Sequence, residues 1–183
     1  MLPLQAQISM GENFIIPLSG LAAGQTFFSW TAGKEFFESF ENTEVLDAEL
    51  NISVVAEKSG RYLGIDATVV GHLVVECDRC LDDLRIPTDV TIRLSIKYGM
   101  QESSDEHHEG EREVIFVPED NAEFDMSQII YDYVCLSLPM QRVHEEGECN
   151  PDAMRYYCGE DNEVDDAGEE SNPFSALKNM FNA

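Results

Sequence analysis

Residues 63–97 read LGIDATVVGHLVVECDRCLDDLRIPTDVTIRLSIK, and this stretch decides the fold. Apolar and polar side chains alternate on both sides of a short polar interruption, which is typical of two half-buried β-strands joined by a turn. A third alternating segment, LDAELNISV at residues 46–54, precedes them. Because the links are short, an antiparallel arrangement is the simplest topology. The sequence therefore predicts three long strands at residues 46–54, 63–75 and 84–96.

Shorter elements surround these strands. Apolar segments at residues 4–9, 14–18 and 26–31 predict further strands of the same sheet, and Val114–Val117 predicts a brief one. Helical spacing of three phenylalanines predicts a short helix, and a second helix follows a capping-box-like pair and ends at a proline. The three phenylalanines are Phe36, Phe37 and Phe40. The capping-box-like pair is Asp125 and Gln128, and the proline is Pro139. We predict an α+β fold, a mostly antiparallel β-sheet or open barrel with a few short helices.

The chain divides into one domain and a tail. Residues 1–159 are predicted to form a single domain, sheet-rich over 1–98 and composed of a loop and a helix over 99–159. Residues 160–171 form an acidic linker, and residues 172–183 begin with Asn-Pro and predict a terminal helix. The apolar face of that helix consists of Phe174, Leu177, Met180 and Phe181. This face suits either a docking peptide or packing on the chain's own domain.

Acidic residues dominate the charge. The 183 residues carry 36 Asp and Glu against 11 Lys and Arg, a net charge of −25, of which −7 falls in residues 1–98 and −18 in residues 99–183. Such a chain is not expected to bind DNA or other bare phosphate backbones, nor to anchor on a membrane through basic residues. A basic partner is the natural complement, although acidity also serves solubility alone. Without an apolar run of 18 residues or a signal-peptide pattern, we expect a cytoplasmic protein.

The sharpest local motif is Cys77-Asp78-Arg79-Cys80, in the turn between the second and third long strands. The two-residue gap lets both thiolates face one ion while turn amides donate hydrogen bonds to the sulfurs, as in a zinc knuckle. Cys149 and Cys158 are the candidates for the other half of a structural zinc site, with His144 as an alternative ligand. Two other interpretations stay open, namely unmetallated structural thiols and a redox dithiol. Cys135 lies in a helical apolar stripe and is predicted to be a core residue.

Motifs of common enzymes are missing from the sequence. It has no phosphate-binding glycine loop, no Gly-x-Ser-x-Gly elbow and no His-Glu-x-x-His, so an enzyme is the less favoured interpretation. One group of basic residues surrounds the cysteine turn and the third strand and is a candidate face for RNA or a partner. It consists of Arg79, Arg85, Arg93 and Lys97. The alternative is that these are ordinary outward-facing residues that balance nearby acids.

Five segments together resemble the YceD-like family of large ribosomal RNA subunit accumulation proteins, a domain of unknown function. They are PLSGL at 17–21, FFESF at 36–40, VECDRCL at 75–81, LSLP at 136–139 and NPFSALK at 172–178. The chain is most similar to the acidic versions of Bacteroidetes-type bacteria. The resemblance matches Cys77, Cys80 and Cys149 to family cysteines. Where many members then have Cys-Pro-x-Cys-Gly, this chain keeps only Cys158 and Gly159.

The resemblance implies a cytoplasmic bacterial protein, without established enzymatic activity, that supports accumulation or processing of the large-subunit ribosomal RNA. Its gene in many bacteria lies beside that of a small ribosomal protein. We therefore expect a ribosome-biogenesis factor whose partner is a ribosomal protein or a pre-ribosomal particle, with direct RNA contact left open. The alternative is an acidic chaperone or nucleic-acid mimic that holds a basic ribosomal protein. A zinc-dependent or thiol enzyme is a weaker third hypothesis.

Overall fold

The three predicted long strands are present, and each is longer than its alternating core. The structure is a computed structural model that describes residues 8–9, 14–99, 108–109 and 112–158, with side chains described for 14–99 and 112–155. The strands are β1 (Ile8–Ser9), β2 (Ile15–Pro17), β3 (Gly24–Gly33), β4 (Val45–Ser59), β5 (Tyr62–Glu76), β6 (Asp83–Tyr98), β7 (His108–Glu109), β8 (Arg112–Val117) and β9 (Glu123–Asp125). The helices are a 3-10 turn (Leu18–Gly20), α1 (Lys34–Glu38), α2 (Ser127–Ser137) and α3 (Pro151–Cys158).

Within the described residues, seven strands form one open sheet in the order β1-β3-β4-β5-β6-β8-β7. Strands β3 to β6 are antiparallel neighbours, as expected for a meander, while β8 runs parallel to β6 and β1 runs parallel to β3. The predicted α+β class is therefore confirmed, in its open-sheet form. The terminal pieces β1 and β7 have only two residues each.

One predicted strand lies in a different sheet. β2 pairs with β9, with Ile16 opposite Phe124, and forms a separate two-stranded ribbon. The ribbon covers the main core, because Ile16 is fully buried there and Phe124 is 9% exposed. The prediction that residues 14–18 join the main sheet is wrong, since these side chains are used to cover the sheet's apolar face.

The core lies on one face of the main sheet. Alternate side chains of β3 to β6 point into it, and α1, α2, the 3-10 turn and the β2–β9 ribbon supply the opposing side chains. The fully buried members with the largest volumes include Leu50, Ile52, Ile65, Leu73, Ile92, Leu94, Ile16, Phe37, Met126 and Ile130. The intervening residues of the strands are mostly exposed. This one-sided burial is the form that antiparallel sheets commonly take.

A close approach of β4 and β5 depends on a glycine. Gly71 is opposite Leu50 in the strand register, and a Cβ added at Gly71 would overlap the Glu49 carbonyl oxygen and meet the Leu50 backbone. A glycine inside a strand often marks such an approach. β5 therefore passes β4 at a position where only the hydrogen of a glycine fits.

The start of α2 differs from the predicted capping box. Oδ1 of Asp125 accepts hydrogen bonds from the Ser127 backbone N–H at 2.8 Å and from the Ser127 hydroxyl at 2.6 Å. Gln128 does not reach back, because its side-chain amide donates to Asp132 at 2.8 Å. Asp125 thus satisfies a first-turn donor, but Met126 occupies the N-cap position. The reciprocal pair in the prediction is wrong.

The C-terminal predictions lie outside the described residues. They comprise the linker at 160–171 and the terminal helix at 172–183 with Phe174, Leu177, Met180 and Phe181. The helices that are described are too short and too polar to span a membrane.

Candidate metal centre

The turn between β5 and β6 is closed by its own backbone. The Cys77 N–H donates to the Asp82 carbonyl at 2.9 Å, and the Leu81 N–H donates to the Cys77 carbonyl at 2.9 Å. Leu81 has φ +62°, in the left-handed region that glycine normally occupies. This turn, residues 77–82, is called the knuckle below. It turns the side chains of Cys77 and Cys80 inward, where they are 0% and 5% exposed.

A segment distant in sequence is held against the knuckle by paired hydrogen bonds. The Asp78 N–H donates to the Arg142 carbonyl at 2.7 Å, and the Arg142 N–H donates to the Asp78 carboxylate at 2.7 Å. The Arg142 guanidinium also lies 3.0 Å from the Glu44 carboxylate, before the start of β4. These contacts place His144 and Cys149 beside the two knuckle cysteines. The knuckle and residues 139–155 are together called the knuckle end.

Four ligand-type atoms converge there. One donor atom each from Cys77, Cys80, His144 and Cys149 lies within 4.8 Å of all the others. The Cys77 and Cys149 sulfurs are 4.0 Å apart, and the Cys80 sulfur is 3.4 Å from Nδ1 of His144. The three cysteines form a small buried cluster of their own, against which Leu84, Ala153 and Met154 pack. We call the four residues the Cys3His cluster.

The dimensions of the Cys3His cluster fit a tetrahedral metal site. A Zn–S bond of about 2.3 Å implies sulfur atoms about 3.8 Å apart at the corners of a tetrahedron. The Cys77 and Cys149 sulfurs, 4.0 Å apart, are close to that value. With a Zn–N bond of about 2.0–2.1 Å a sulfur and a nitrogen would lie about 3.6 Å apart, and the Cys80 sulfur is 3.4 Å from Nδ1 of His144. The other ring nitrogen of His144, Nε2, lies 3.1 Å from the Asp83 carbonyl oxygen. A metal-ligating histidine commonly donates its free N–H to such a carbonyl, which fixes its orientation.

Hydrogen bonds prepare the Cys77 sulfur for the thiolate form. Burial by itself would raise the pKa of Cys77, but the backbone N–H groups of Cys80, Arg79 and His144 point at its sulfur and together lower the pKa to about 6. A thiolate is the form that binds a metal. The knuckle amides therefore donate hydrogen bonds to the Cys77 sulfur, as the two-residue cysteine spacing predicts.

The neighbouring sulfur atoms also shift the pKa values of His144 and Cys149. A hydrogen bond with Cys77 raises the pKa of His144, and burial together with the neighbouring sulfurs of Cys80 and Cys77 raises the pKa of Cys149. Arg79 opposes this increase at Cys149 through its positive charge. Three clustered sulfurs are costly to ionise without a cation, and a bound metal ion supplies that cation.

The predicted metal ligands are placed as follows. Cys77, Cys80 and Cys149 come together, and His144, named as the alternative ligand, completes the group of four. Cys158 is the last residue of α3, and its side chain lies outside the described residues. Cys135 is half-buried at the edge of the main core, where it accepts a hydrogen bond from Asn42 at 3.8 Å.

The predicted basic face divides into two parts. Arg85, Arg93 and Lys97 lie on the exposed, odd-numbered face of β6, where Arg85 is 2.9 Å from Nδ1 of His72. Arg79 is turned away from that face and donates to the His144 carbonyl at 2.5 Å. Its position beside the Cys3His cluster gives it a role in balancing sulfur charge.

Sequence reasoning did not identify the residues that join the two halves of the Cys3His cluster. Asp78 and Arg142 are 64 positions apart, and their link is made largely by backbone groups. The Asp83 carbonyl that orients His144 is likewise a backbone atom. Neither contact leaves a residue-type signal in the sequence. Asp78 does stand inside the cysteine motif, which is the only available hint.

One comparison with known proteins gives a match, and it covers the part of the chain that contains the Cys3His cluster. A family model described as "Large ribosomal RNA subunit accumulation protein YceD" matches residues 65–181, which are 117 of the 183 residues. The match includes β6, α2 and all four residues of the Cys3His cluster. Searches of curated proteins and of solved structures found no match. Because the family model covers well over half of its length, the chain belongs to the YceD family.

Proposed function

We propose that this chain supports accumulation of the large-subunit ribosomal RNA as a non-catalytic assembly factor in the cytoplasm. The observation that carries the proposal is the YceD family match over residues 65–181, since the family is named for that role. The match covers most of β5, all of β6 and β8, and the Cys3His cluster, whereas β3 and β4 precede it. The proposal therefore rests on a match over 117 of the 183 residues rather than on one residue.

The route to RNA in this proposal passes through a basic protein. A net charge of −25 repels phosphate backbones at long range, and the exposed basic residues on β6 form only a small group. A ribosomal protein or a pre-ribosomal particle with basic protein segments at its surface is attracted by the same charge. We propose such a partner for this chain.

The Cys3His cluster has a structural role in this proposal. Cys77, Cys80, His144 and Cys149 would hold one zinc ion, which supplies a cross-link between the knuckle and residues 142–149 when bound. Four protein donors fill a tetrahedral coordination sphere and leave no position for a reactive water. The residues themselves contribute buried thiolates, an oriented imidazole and the nearby Arg79 guanidinium.

The test of the proposed function is the balance of ribosomal RNA in growing cells. Deleting the gene should lower the ratio of large-subunit to small-subunit RNA, and the wild-type gene should restore it. An unchanged ratio with a normal profile of ribosomal subunits would overturn the proposal.

A second candidate function is an acidic chaperone that holds one basic ribosomal protein before assembly. The strong acidity of the chain favours it, because the carboxylates resemble a phosphate surface in charge. Binding assays with purified large-subunit proteins and with pre-ribosomal particles, at rising salt, separate the two candidates. A chaperone binds a free basic protein and no RNA-containing particle, whereas an assembly factor binds the particle.

A further inference from the structure

Exposed apolar side chains are concentrated at the knuckle end. Among the described residues, six large apolar side chains are exposed, and three of them lie at the knuckle end. These three are Leu81, Met140 and Val143, which are 70%, 101% and 37% exposed. Apolar residues exposed together commonly mark an interaction site, whereas single ones do not. We call these three the knuckle surface.

Leu81 is the most informative member of the knuckle surface. Its φ of +62° is unfavourable for a leucine and favourable for glycine. Its side chain is 70% exposed, so packing against the described residues does little to offset that strain. The fold therefore needs a left-handed residue here but does not need a leucine. A strained residue without a structural reason is a candidate for a functional one.

The surroundings of Leu81 are strongly acidic. Leu81 borders a cavity of about 330 Å³ whose wall includes Glu44, Glu76, Asp78 and Arg142. Arg142 pairs with Glu44 and Asp78, but Glu76 forms no ion pair within the part of the chain that the structure describes. Three exposed glutamates, at positions 145, 146 and 148, follow on the segment that carries Met140 and Val143. The side chains of the knuckle surface are thus apolar, and the side chains around them are mostly negatively charged.

We propose that the knuckle surface docks a basic protein segment that carries apolar side chains, such as an extended arm or a helix rich in Lys and Arg. The inference deepens the proposed function and rests on it for the nature of the partner. Charge complementarity selects the occupant, because the glutamates attract Lys and Arg while Leu81 and Met140 take up apolar side chains. The same glutamates repel RNA phosphates, so the proposal commits to a protein.

Site-specific photo-crosslinking tests where the partner lies. A photoreactive amino acid is placed at position 81 or 140 of the full-length chain, and at Val70 as a control, since Val70 is 48% exposed on the middle of the sheet. The probe is the purified mixture of large-subunit ribosomal proteins with large-subunit RNA. Positions 81 and 140 should crosslink to Lys- and Arg-rich peptides identified by mass spectrometry, and position 70 should not.

Every other crosslinking result overturns the proposal. These results are crosslinks from position 81 to RNA, to a second copy of this chain, to its own residues 159–183, or to nothing. Equal crosslinking from position 70 also contradicts it, because the contact is then not specific to the knuckle surface.

Substitution of Leu81 separates binding from folding. Leu81→Gly and Leu81→Asn both keep the left-handed conformation, so their melting temperatures should equal or slightly exceed that of the wild type. Affinity for the crosslinked protein should fall about tenfold, as expected for loss of an apolar contact at a docking site. Val70→Thr is the matched control and should bind like the wild type. Wild-type affinity in both Leu81 variants would sink the proposal.

Failure of this inference is distinguishable from failure of the proposed function. A gene deletion that lowers the large-subunit RNA ratio, combined with a Leu81→Gly variant that binds and complements fully, refutes the knuckle surface alone. An unaffected RNA ratio after deletion refutes the function, even if the crosslinks at position 81 are found.

Discussion

The main sheet and the knuckle end are stabilised by different kinds of interaction. The sheet buries many aliphatic side chains in one continuous core, whereas the knuckle end has a cluster of three buried cysteines with three partly buried apolar neighbours. Fully burying one large aliphatic side chain contributes about 1.5–3 kcal/mol, so the sheet has ample stabilisation of its own. The knuckle end does not, and small units of this kind usually need a metal or a disulfide. The difference teaches that apolar burial stabilises the sheet, whereas the knuckle end has little apolar core of its own.

The largest expected effect concerns the sheet. Gly71→Ala should lower the free energy of unfolding by about 3 kcal/mol, because the new Cβ overlaps the backbone of β4 and cannot be accommodated by a side-chain movement. Urea denaturation followed by circular dichroism measures the loss. Gly33→Ala is the matched control, since a Cβ there would lie 3.6 Å from the Ala48 carbonyl oxygen, an ordinary contact. Similar losses in both variants would show that the β4–β5 approach is not the cause.

The second-largest effect is expected at the knuckle end, when its metal is removed. The purified chain should contain about one zinc ion, and Cys77→Ser should lower its zinc affinity by more than about 100-fold, because one thiolate ligand is lost. Metal analysis and hydrogen exchange measure the outcome. At free zinc 100 times the Kd, removal of the metal costs about 2.7 kcal/mol. Fast exchange should appear at residues 77–82 and 142–149 while β4 to β6 stay protected.

The control for the zinc prediction is Cys135→Ser, which lies outside the Cys3His cluster and should keep the metal. Absence of zinc from the wild-type protein contradicts the metal assignment. Global unfolding on chelation contradicts the separation of the two regions, since the sheet is then not stable alone.

A smaller effect is expected where the two halves of the knuckle end join. Asp78→Ala removes the carboxylate that accepts the Arg142 N–H at 2.7 Å, and it should destabilise the knuckle end by about 1 kcal/mol. Local amide exchange and zinc affinity measure it. Asp82→Ala is the control, because Asp82 contributes its backbone carbonyl to the turn and its exposed side chain is dispensable. Equal effects from both variants would argue that general charge, not this contact, matters.

The smallest expected losses of stability come from removing two ion pairs. Arg142→Met should cost about 0.5–1 kcal/mol, since its guanidinium is only 25% exposed and reaches both Glu44 and Asp78. Arg61→Met removes a pair with Glu119 whose side chains are 80% and 67% exposed, and it should cost less than about 0.5 kcal/mol. Thermal unfolding of both variants, at low and high salt, tests the order. A larger loss from Arg61→Met would reverse this assessment.

Strand existence could be predicted from the sequence because alternation is local. The side chains of Leu50, Ile52 and Val54 all face the core, and the period of two along the chain forces that arrangement once one of them is buried. Strand pairing beyond the meander was not predictable. The parallel contact of β8 with β6 and the separate β2–β9 ribbon depend on which surfaces remain uncovered after the long strands pair.

For the candidate site, the cysteine motif was readable and its partners were only partly so. The spacing of Cys77 and Cys80 predicts convergent sulfurs within one turn, because only two residues separate them. Cys149 and His144 were named as candidates, but the selection of His144 as the fourth donor in the Cys3His cluster required the fold. It depends on the Asp83 carbonyl and on two Asp78–Arg142 hydrogen bonds, in which three of the four groups are backbone groups that any residue type except proline could supply.

The sequence by itself determined the strands, the acidity and half of the Cys3His cluster, because periodicity, charge and short cysteine spacing are properties of neighbouring residues. Only the tertiary structure decided that residues 139–149 close on the knuckle, that Arg79 turns toward the sulfurs, and that Leu81 stays exposed in a left-handed conformation. The first two features arise between segments more than 60 positions apart, and the third depends on which surfaces stay uncovered. Their partners are mostly backbone groups, which have no signature in residue type.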